Sequence, residues 1–293
     1  MKLRDINGIK FNEPMSKHTT FRAGGAADML YEPSTNEELM LALDLAKKEN
    51  IPITVIGNGS NLLVRDGGIR GLVIKLYKNF SGILVDGDVI IARSGALLPE
   101  IGSAALAYGL SGFEFASGIP GTIGGGLVMN AGAYGGELKD IVVSCEYLEN
   151  GEIKTYKNED MCLSYRHSIF AEKNGIILSV TMRLSKGDKS EIKDKMDDLK
   201  QRRIDKQPLE FASAGSTFKR PEGYFAGKLI EDAGLKGASV GDAEISKKHA
   251  GFLINKGNAT ATEILELIEY VKKKVLETSG IRLETEVKII GED

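Results

Sequence analysis

The sequence predicts an α+β protein: a two-lobed ligand-binding unit over residues 1–184, its lobes meeting near residues 69–70, followed by a smaller α/β domain over residues 185–293. Three observations predict it. A β-α-β pattern over residues 27–56 delivers the loop Gly57-Asn58-Gly59-Ser60-Asn61 to the end of a strand, where open α/β sheets receive ligands. Short strands and turns from residue 72 onward are interrupted by a glycine-rich stretch at residues 111–136, SGFEFASGIPGTIGGGLVMNAGAYGG. A highly charged segment at 186–207 is stopped by Pro208 and separates this part from a second α/β pattern.

Gly24 and Gly25 mark a turn before a strand at 27–31. A helix is expected over 35–49, with Ser34 and Glu37 spaced as a capping box and Leu39, Leu43 and Ala46 on one stripe. The β-branched run 51–56 closes the β-α-β pattern. Strands follow at 72–76, 83–85 and 89–92, then a helix over 98–108. In the glycine-rich stretch eight of the last nineteen residues are glycine, and residues 116–134 carry no Lys, Arg, Asp or Glu. Such a run is expected to be neither strand nor helix but backbone brought close to an anion, a diphosphate above all, because glycine reaches positive φ and leaves its N–H groups unobstructed; the alternative is a run of tight turns in a surface loop, against which the missing charges weigh. It has neither the lysine of a P-loop nor the order of a Rossmann turn. Asn150-Gly151 joins strands at 141–148 and 152–156 as a hairpin, and a strand at 175–184 ends the unit. In the second domain, helices are expected at 224–233 and 260–278, the latter with Ile264, Leu267, Ile268, Val271 and Val275 on one stripe. A strand is expected at 252–254. The closing strand, 283–290, alternates Leu283, Val287 and Ile289 with Glu284, Glu286 and Lys288, so both glutamates face solvent or a cleft.

Composition narrows the function. A chain of 293 residues with 42% hydrophobic content builds a sizeable core. Its net charge of −3 at pH 7 carries no basic patch for nucleic acid. Two cysteines and three scattered histidines offer no metal site, so no metal is expected. The charged N-terminus has no signal-peptide core and no window has the length of a membrane span. A cytoplasmic protein without membrane, nucleic-acid or obligate protein partners is expected.

No Ser-His-Asp, Cys-His or HExxH pattern occurs, which assigns any chemistry to a cofactor. Three stretches carry candidate side chains. Arg166, in Tyr165-Arg166-His167-Ser168, suits a carboxylate, against the alternative of a surface arginine. Ser216, in Gly215-Ser216-Thr217, suits a proton donor, against a turn or cap hydroxyl. Glu286 lines a cleft or a solvated strand face.

Taken in order, HTTFRAGG, GNGSNLLV, SGIPGTIGGGLVMNAGAYGGEL, YRHSIF, AGSTFKRP, KHAGFLIN and ETEVKIIG resemble the UDP-N-acetylenolpyruvoylglucosamine reductase family of flavoproteins of bacterial cell-wall synthesis. The chain is similar to the shorter second type, which lacks a tyrosine-bearing insertion. The resemblance implies an FAD-binding domain of the PCMH/vanillyl-alcohol-oxidase type, noncovalent FAD, NADPH as co-substrate and a UDP-sugar substrate. It implies hydride addition at C3 of an enolpyruvyl group and protonation at C2. It assigns Arg166 and a protonated Glu286 to the substrate carboxylate and Ser216 to the C2 proton, with Glu284 the competitor for Glu286. A cation such as Lys219 would stabilise the serine alkoxide. The flavin is expected on Ile56, Gly57, Asn58, Gly59, Ser60, Asn61, Leu62, Gly118, Ile119, Pro120, Gly121, Thr122, Gly124, Gly125, Gly126 and Ile177. Lys219, Arg220, Tyr224, Lys228 and Asn255 are the candidates for UDP. Another FAD-dependent oxidase or dehydrogenase of the same fold is the alternative, and a nucleotide-sugar-binding protein without activity is a third.

Overall fold

The computed structural model describes residues 2–293, which form two compact units. One comprises residues up to Ile9, Tyr31–Asn58 and Ile74–Arg202; the other comprises Lys10–Leu30, Gly59–Val73 and Arg203–Asp293. Each unit is therefore assembled from non-contiguous segments, whereas the sequence reading places a single boundary at 184–185.

In the first unit, helix α1 spans Asn36–Lys48. Its cap lies one residue later than the Ser34/Glu37 expectation. Thr35 accepts the Glu38 N–H, while the Glu38 carboxylate turns back to the Ser34 N–H at 2.7 Å. The unit is built on a five-stranded antiparallel sheet in the order Glu152–Lys157, Val142–Glu149, Ile176–Arg183, Val89–Arg93, Ile83–Asp86. Asn150 and Gly151 both have positive φ, 54° and 84°, the conformation of a tight hairpin turn. Helix α2, Leu98–Ala107, packs on this sheet through Leu98, Ile101 and Ala105. The glycine-rich stretch differs from its expectation in one respect, because Ile123–Val128 form a short helix, α3, capped by Thr122. Its Ile123 and Leu127 enter the sheet's core with Phe113, Phe115 and Ala116. The glycines there let a helix lie flat on a strand end.

Helix α4, Lys189–Lys206, buries only Ile192 and Leu199. Lys195 nevertheless reaches Glu114, which is 2% exposed, at 3.1 Å. Burial alone would raise the Glu114 carboxyl, but the Ser111 hydroxyl, the backbone N–H groups of Glu114 and Gly112, and Lys195 together hold it below its ordinary value. A depressed folded-state pKa stabilises the fold above the ordinary carboxylate range, and that contribution is lost as pH falls through the folded value. Glu114→Gln is expected to lower unfolding stability by about 2 kcal/mol at pH 7. Urea titrations at pH 7 and pH 3 should show the difference shrinking at the lower pH.

In the second unit, Lys10–Pro14 pairs antiparallel with Ala26–Tyr31 from Lys10↔Leu30 to Pro14↔Ala26. Three short strands, Ser239–Val240, Ala243–Ile245 and Leu253–Asn255, form an antiparallel sheet. Helix α5, Ala226–Asp232, and helix α6, Ala261–Ser279, pack with it. The stripe expected from the sequence is the buried face of α6: Ile264, Leu267, Ile268, Val271 and Val275 are fully buried. Thr260 and Glu263 form its capping box and Gly280, at φ 72°, its left-handed end.

The chain's last segment departs from the expected strand over 283–290. Only Lys288–Ile290 is a strand, and it pairs parallel with Leu62–Val64. Residues 284–286 instead lie beside residues 217–219, with Lys219 N–H on the Glu284 carbonyl and Glu286 N–H on the Thr217 carbonyl. The two glutamates consequently differ: Glu286 is 9% exposed, whereas the Glu284 side chain is 75% exposed. Among the described residues no helix is long and apolar enough to cross a membrane, and no His/Cys/Asp/Glu group has the arrangement of a metal site.

Candidate functional site

A cleft opens in the first unit where several elements end together. Val55, Ile56 and Gly57 enter it from one strand, Ser94 from the end of another, Thr122, Gly124, Gly125 and Val128 from α3, and Gly175, Ile176 and Ile177 from a third strand. Tyr147, Phe170 and Leu76 complete the lining. Pairing between Ile176–Arg183 and Val89–Arg93 stops at Ser179↔Arg93, beyond which Ser94 N–H reaches only Leu178. The start of the strand, with Ile177, is thereby left to the cleft.

Two loops predicted to hold a diphosphate are fastened to each other. Asn58 Nδ2 donates to the Pro120 carbonyl at 2.5 Å. A Cβ on Gly57 would collide with Thr122 Oγ1, so glycine is what permits the approach. The glycines of α3 do different jobs. Ile123 and Gly124 spend their N–H groups on the Ala96 and Ser94 carbonyls, and Gly126 on the Thr122 carbonyl. A Cβ on Gly124 would lie 2.7 Å from that of Ser94, and one on Gly126 would lie 3.2 Å from Leu138. Gly124 and Gly126 therefore serve packing, with their N–H groups engaged, and Gly125, whose N–H donates to the capping Thr122 Oγ1 at 3.4 Å, lines the cleft without a crowding neighbour. Gly118, Ile119 and Gly121 precede the helix; the Gly121 carbonyl accepts the Leu98 N–H.

Sequence reasoning missed the cleft's two most informative groups. Ser94 Oγ and Tyr147 OH are buried and have no hydrogen-bond partner among the described residues. An unmade hydrogen bond at a buried hydroxyl costs about 1–3 kcal/mol, so a ligand with polar edges fits here better than an apolar one. The Tyr147 ring is immobilised edge-on to Tyr156 at 5.6 Å, against Phe170 at 4.8 Å, and beneath Gly175, where a Cβ would lie 2.6 Å from the ring. Burial and then the Glu149 carboxylate push its phenol up to about 12, so it keeps its proton as a donor. A slot whose lining combines apolar side chains, two buried unpartnered hydroxyls and glycine backbone suits part of a flavin nucleotide. No local motif marks Ser94 or Tyr147; they meet only through sheet register.

Arg166 occupies the tip of a two-residue turn in the first unit. Ser164 and His167 exchange both backbone hydrogen bonds at 3.1 Å beneath it. Its backbone has φ 55°, a left-handed conformation unfavourable for a side-chain-bearing residue. The surroundings impose it. Ser168, fully buried, donates to the Val128 carbonyl at 2.7 Å, and Asn130 Nδ2 donates to the Ser164 carbonyl at 2.9 Å. The guanidinium lies 5.1 Å from the Tyr165 ring centroid and reaches the Gly132 carbonyl at 3.3 Å. The turn is thus riveted to the glycine-rich stretch.

The remaining candidates belong to the second unit. Ser216 is exposed, caps no helix, and its hydroxyl has no hydrogen-bond partner among the described residues. Its neighbour Thr217 is buried and accepts the Leu253 N–H, so the pleat turns one hydroxyl inward and Ser216 outward. Lys219 is paired with Glu284 at 3.1 Å rather than with Ser216. Arg220 stacks over Phe225 at 4.5 Å, Tyr224 is exposed, and Lys228 pairs with Asp232. Asn255 is 3% exposed and holds backbone on both sides: Nδ2 donates to Phe21 O and Arg22 O, and Oδ1 accepts from Gly257 and Ala259. That engagement removes it from the substrate-binding candidates. Gly59, at φ 67°, abuts the His18 carbonyl, Ser60 follows it, and Leu62 begins a strand. Asn61 directs its side chain to the Glu286 carbonyl at 3.1 Å, a protein contact where the sequence suggests a ligand donor.

Comparison with known proteins gives a consistent picture. Residues 27–156 match the family described as FAD binding domain, and residues 207–290 match the C-terminal domain of UDP-N-acetylenolpyruvoylglucosamine reductase. The chain is 52% identical to the UDP-N-acetylenolpyruvoylglucosamine reductase of Caldanaerobacter subterraneus subsp. tengcongensis, over 99% of this chain and 97% of that one. It is 54% identical to that of Clostridioides difficile, over 97% and 94%. Among solved structures, the reductase of Thermus caldophilus superposes with a TM-score of 0.81 at 36% identity, covering 96% of this chain and 97% of that one.

Proposed function

Because this chain belongs to the UDP-N-acetylenolpyruvoylglucosamine reductase family, we propose that it reduces UDP-N-acetylglucosamine enolpyruvate to UDP-N-acetylmuramate in the cytoplasm, with NADPH as reductant, as a step of peptidoglycan precursor synthesis. The observation that carries the reading is the near-full-length likeness together with a flavin-compatible cleft whose buried Ser94 and Tyr147 hydroxyls lack partners among the described residues. FAD held on the cleft's glycine backbone and on Ile177 would supply the chemistry, hydride transfer from NADPH to C3 of the enolpyruvyl group.

The chain's own residues have three tasks. Ile56, Gly57, Thr122, Gly125 and Ile177 bind the flavin nucleotide, with Ser94 and Tyr147 hydrogen-bonding its polar edges. Hydride arrival leaves negative charge on the substrate carboxylate, and Arg166 with a protonated Glu286 stabilises it; charge-directed donors of this kind are among the largest catalytic terms. Ser216 passes its hydroxyl proton to C2. Its exposure supports that role, since solvent can restore the proton, and its lack of a structural partner leaves the hydroxyl available. Lys219 and Arg220 remain the candidates for the UDP phosphates, with Tyr224 and Lys228 beside them.

The test is spectral. The purified protein should be yellow, bleach anaerobically with NADPH and recover on addition of UDP-N-acetylglucosamine enolpyruvate. Rapid recovery with oxygen and none with the substrate would instead identify an oxidase. Ser94→Ala and Tyr147→Phe are each expected to weaken FAD about tenfold, one hydrogen bond's worth, measured by flavin fluorescence on reloading the apoprotein. A Gln scan separates the two glutamates: Glu286→Gln should slow flavin reoxidation by substrate at least about 100-fold, whereas Glu284→Gln, at an exposed ion pair, should stay within about twofold.

A further inference from the structure

We propose that Asn61 is a positioning residue for Glu286, an inference that rests on the reading of Glu286 as a partner of the substrate carboxylate. Glu286 lies just before the strand Lys288–Ile290, in a segment without a regular ladder. Its backbone is nevertheless held on both sides. Its N–H donates to the Thr217 carbonyl at 2.8 Å, and its carbonyl accepts from Asn61 Nδ2 at 3.1 Å. The main-chain carbonyl of Asn61 then takes the Lys288 N–H at 2.9 Å. From Lys288↔Leu62 onward the ordinary parallel ladder begins.

Asn61 thus grips the chain at 286 with its side chain and at 288 with its main chain. The amide supplies the bond that a ladder would have supplied one register earlier. Two consequences follow from this geometry. Glu286 is 9% exposed, so a shift of its backbone is passed on to its carboxyl rather than absorbed by free rotation in solvent. The residue that receives its N–H, Thr217, directly follows Ser216, so the same pair of bonds registers Glu286 against the proposed proton donor. Asn61 also ends the Gly57–Asn61 loop, so that loop and the carboxylate partner share one anchor. A misplacement of about 1 Å in a catalytic group can cost about 100-fold.

The experiment uses the FAD-loaded enzyme and four variants: Asn61→Asp, which keeps the shape but cannot donate, Asn61→Ala, Glu286→Gln, and Asn61→Ala combined with Glu286→Gln. Anaerobic stopped-flow separates flavin reduction by NADPH from reoxidation by substrate, and fluorescence gives the FAD affinity. Expected are FAD affinity and NADPH reduction within about threefold of wild type and reoxidation slowed about 10–100-fold in both Asn61 single variants. The double variant should be no more than about threefold slower than Glu286→Gln, since Asn61 acts through that residue. Additive losses in the double variant, wild-type reoxidation in Asn61→Asp, or a parallel fall in FAD affinity overturns the proposal. Wild-type reoxidation in Glu286→Gln overturns the reading of Glu286 itself, and with it the premise. If Asn61→Ala does not fold, Asn61→Asp, alone and combined with Glu286→Gln, carries the same comparison.

Discussion

Ser216→Ala is expected to leave NADPH reduction of the flavin at its wild-type rate and to slow reoxidation by the enolpyruvyl substrate about 10²–10⁴-fold, the range spanned by removing a positioned general acid. The asymmetry is the substance of the expectation. Flavin reduction has no need of a proton at C2, so a serine that only props up its loop would affect both half-reactions or neither. Structural damage from the change should be small. The Ser216 side chain is exposed, and the buried hydroxyl that secures this segment belongs to Thr217, through the Leu253 N–H at 3.1 Å. Ser216→Cys, which retains a proton but alters its acidity, should recover part of the reoxidation rate. Stopped-flow traces in which both phases slow equally would sink the assignment.

Arg166→Gly is expected to separate function from stability. The backbone at Arg166 has φ 55°, and a residue with a Cβ bears a cost of about 1–2 kcal/mol in that region, which glycine does not. The turn is meanwhile held by bonds that do not involve the arginine side chain: Ser164 with His167, Ser168 with Val128, and Asn130 with Ser164. Replacement should leave the melting temperature close to the wild-type value, the relief of the left-handed backbone offsetting the lost guanidinium contacts with the Tyr165 ring and the Gly132 carbonyl. Reoxidation by substrate should fall about 10²–10³-fold, as when one charge-stabilising donor is removed. Arg166→Lys should be nearly as slow, because an ammonium cannot offer the planar two-donor edge a carboxylate accepts. A melting temperature that collapses in Arg166→Gly would mean that the arginine is part of the scaffold.

Much of the architecture was legible along the chain wherever a residue's role follows from its own neighbours. The stripe on α6, its Thr260–Glu263 box and the Asn150-Gly151 hairpin all follow from local periodicity and φ preference. The capping of α1 slipped by one residue because Ser34, Thr35, Glu37 and Glu38 offer two overlapping boxes, and only the backbone path selects one. Glycine spacing could not tell a phosphate loop from a packing helix. A Cβ on Gly124 or Gly126 would meet Ser94 or Leu138, and those contacts are set by the fold rather than by local spacing.

The candidate side chains divide the same way. Residue order along the chain is enough to single out the candidates: Arg166, Ser216 and Glu286 stand in stretches whose order resembles one family, and the comparisons agree on the family. Folding then sets which polar groups are engaged within the protein and which are not. Asn255 and Asn61 look in sequence like ligand donors, yet their amides hold backbone at Phe21 and Glu286. Glu284 and Glu286 look equivalent by alternation, yet one is at the surface and the other is buried. Ser94 and Tyr147 look like ordinary strand residues, yet their hydroxyls meet a shared cleft without partners among the described residues. The physical reason is common to all of them. Chemical type and spacing travel with the chain, but hydrogen-bond satisfaction and burial are properties of neighbours that only folding brings within 3 Å or so of each other.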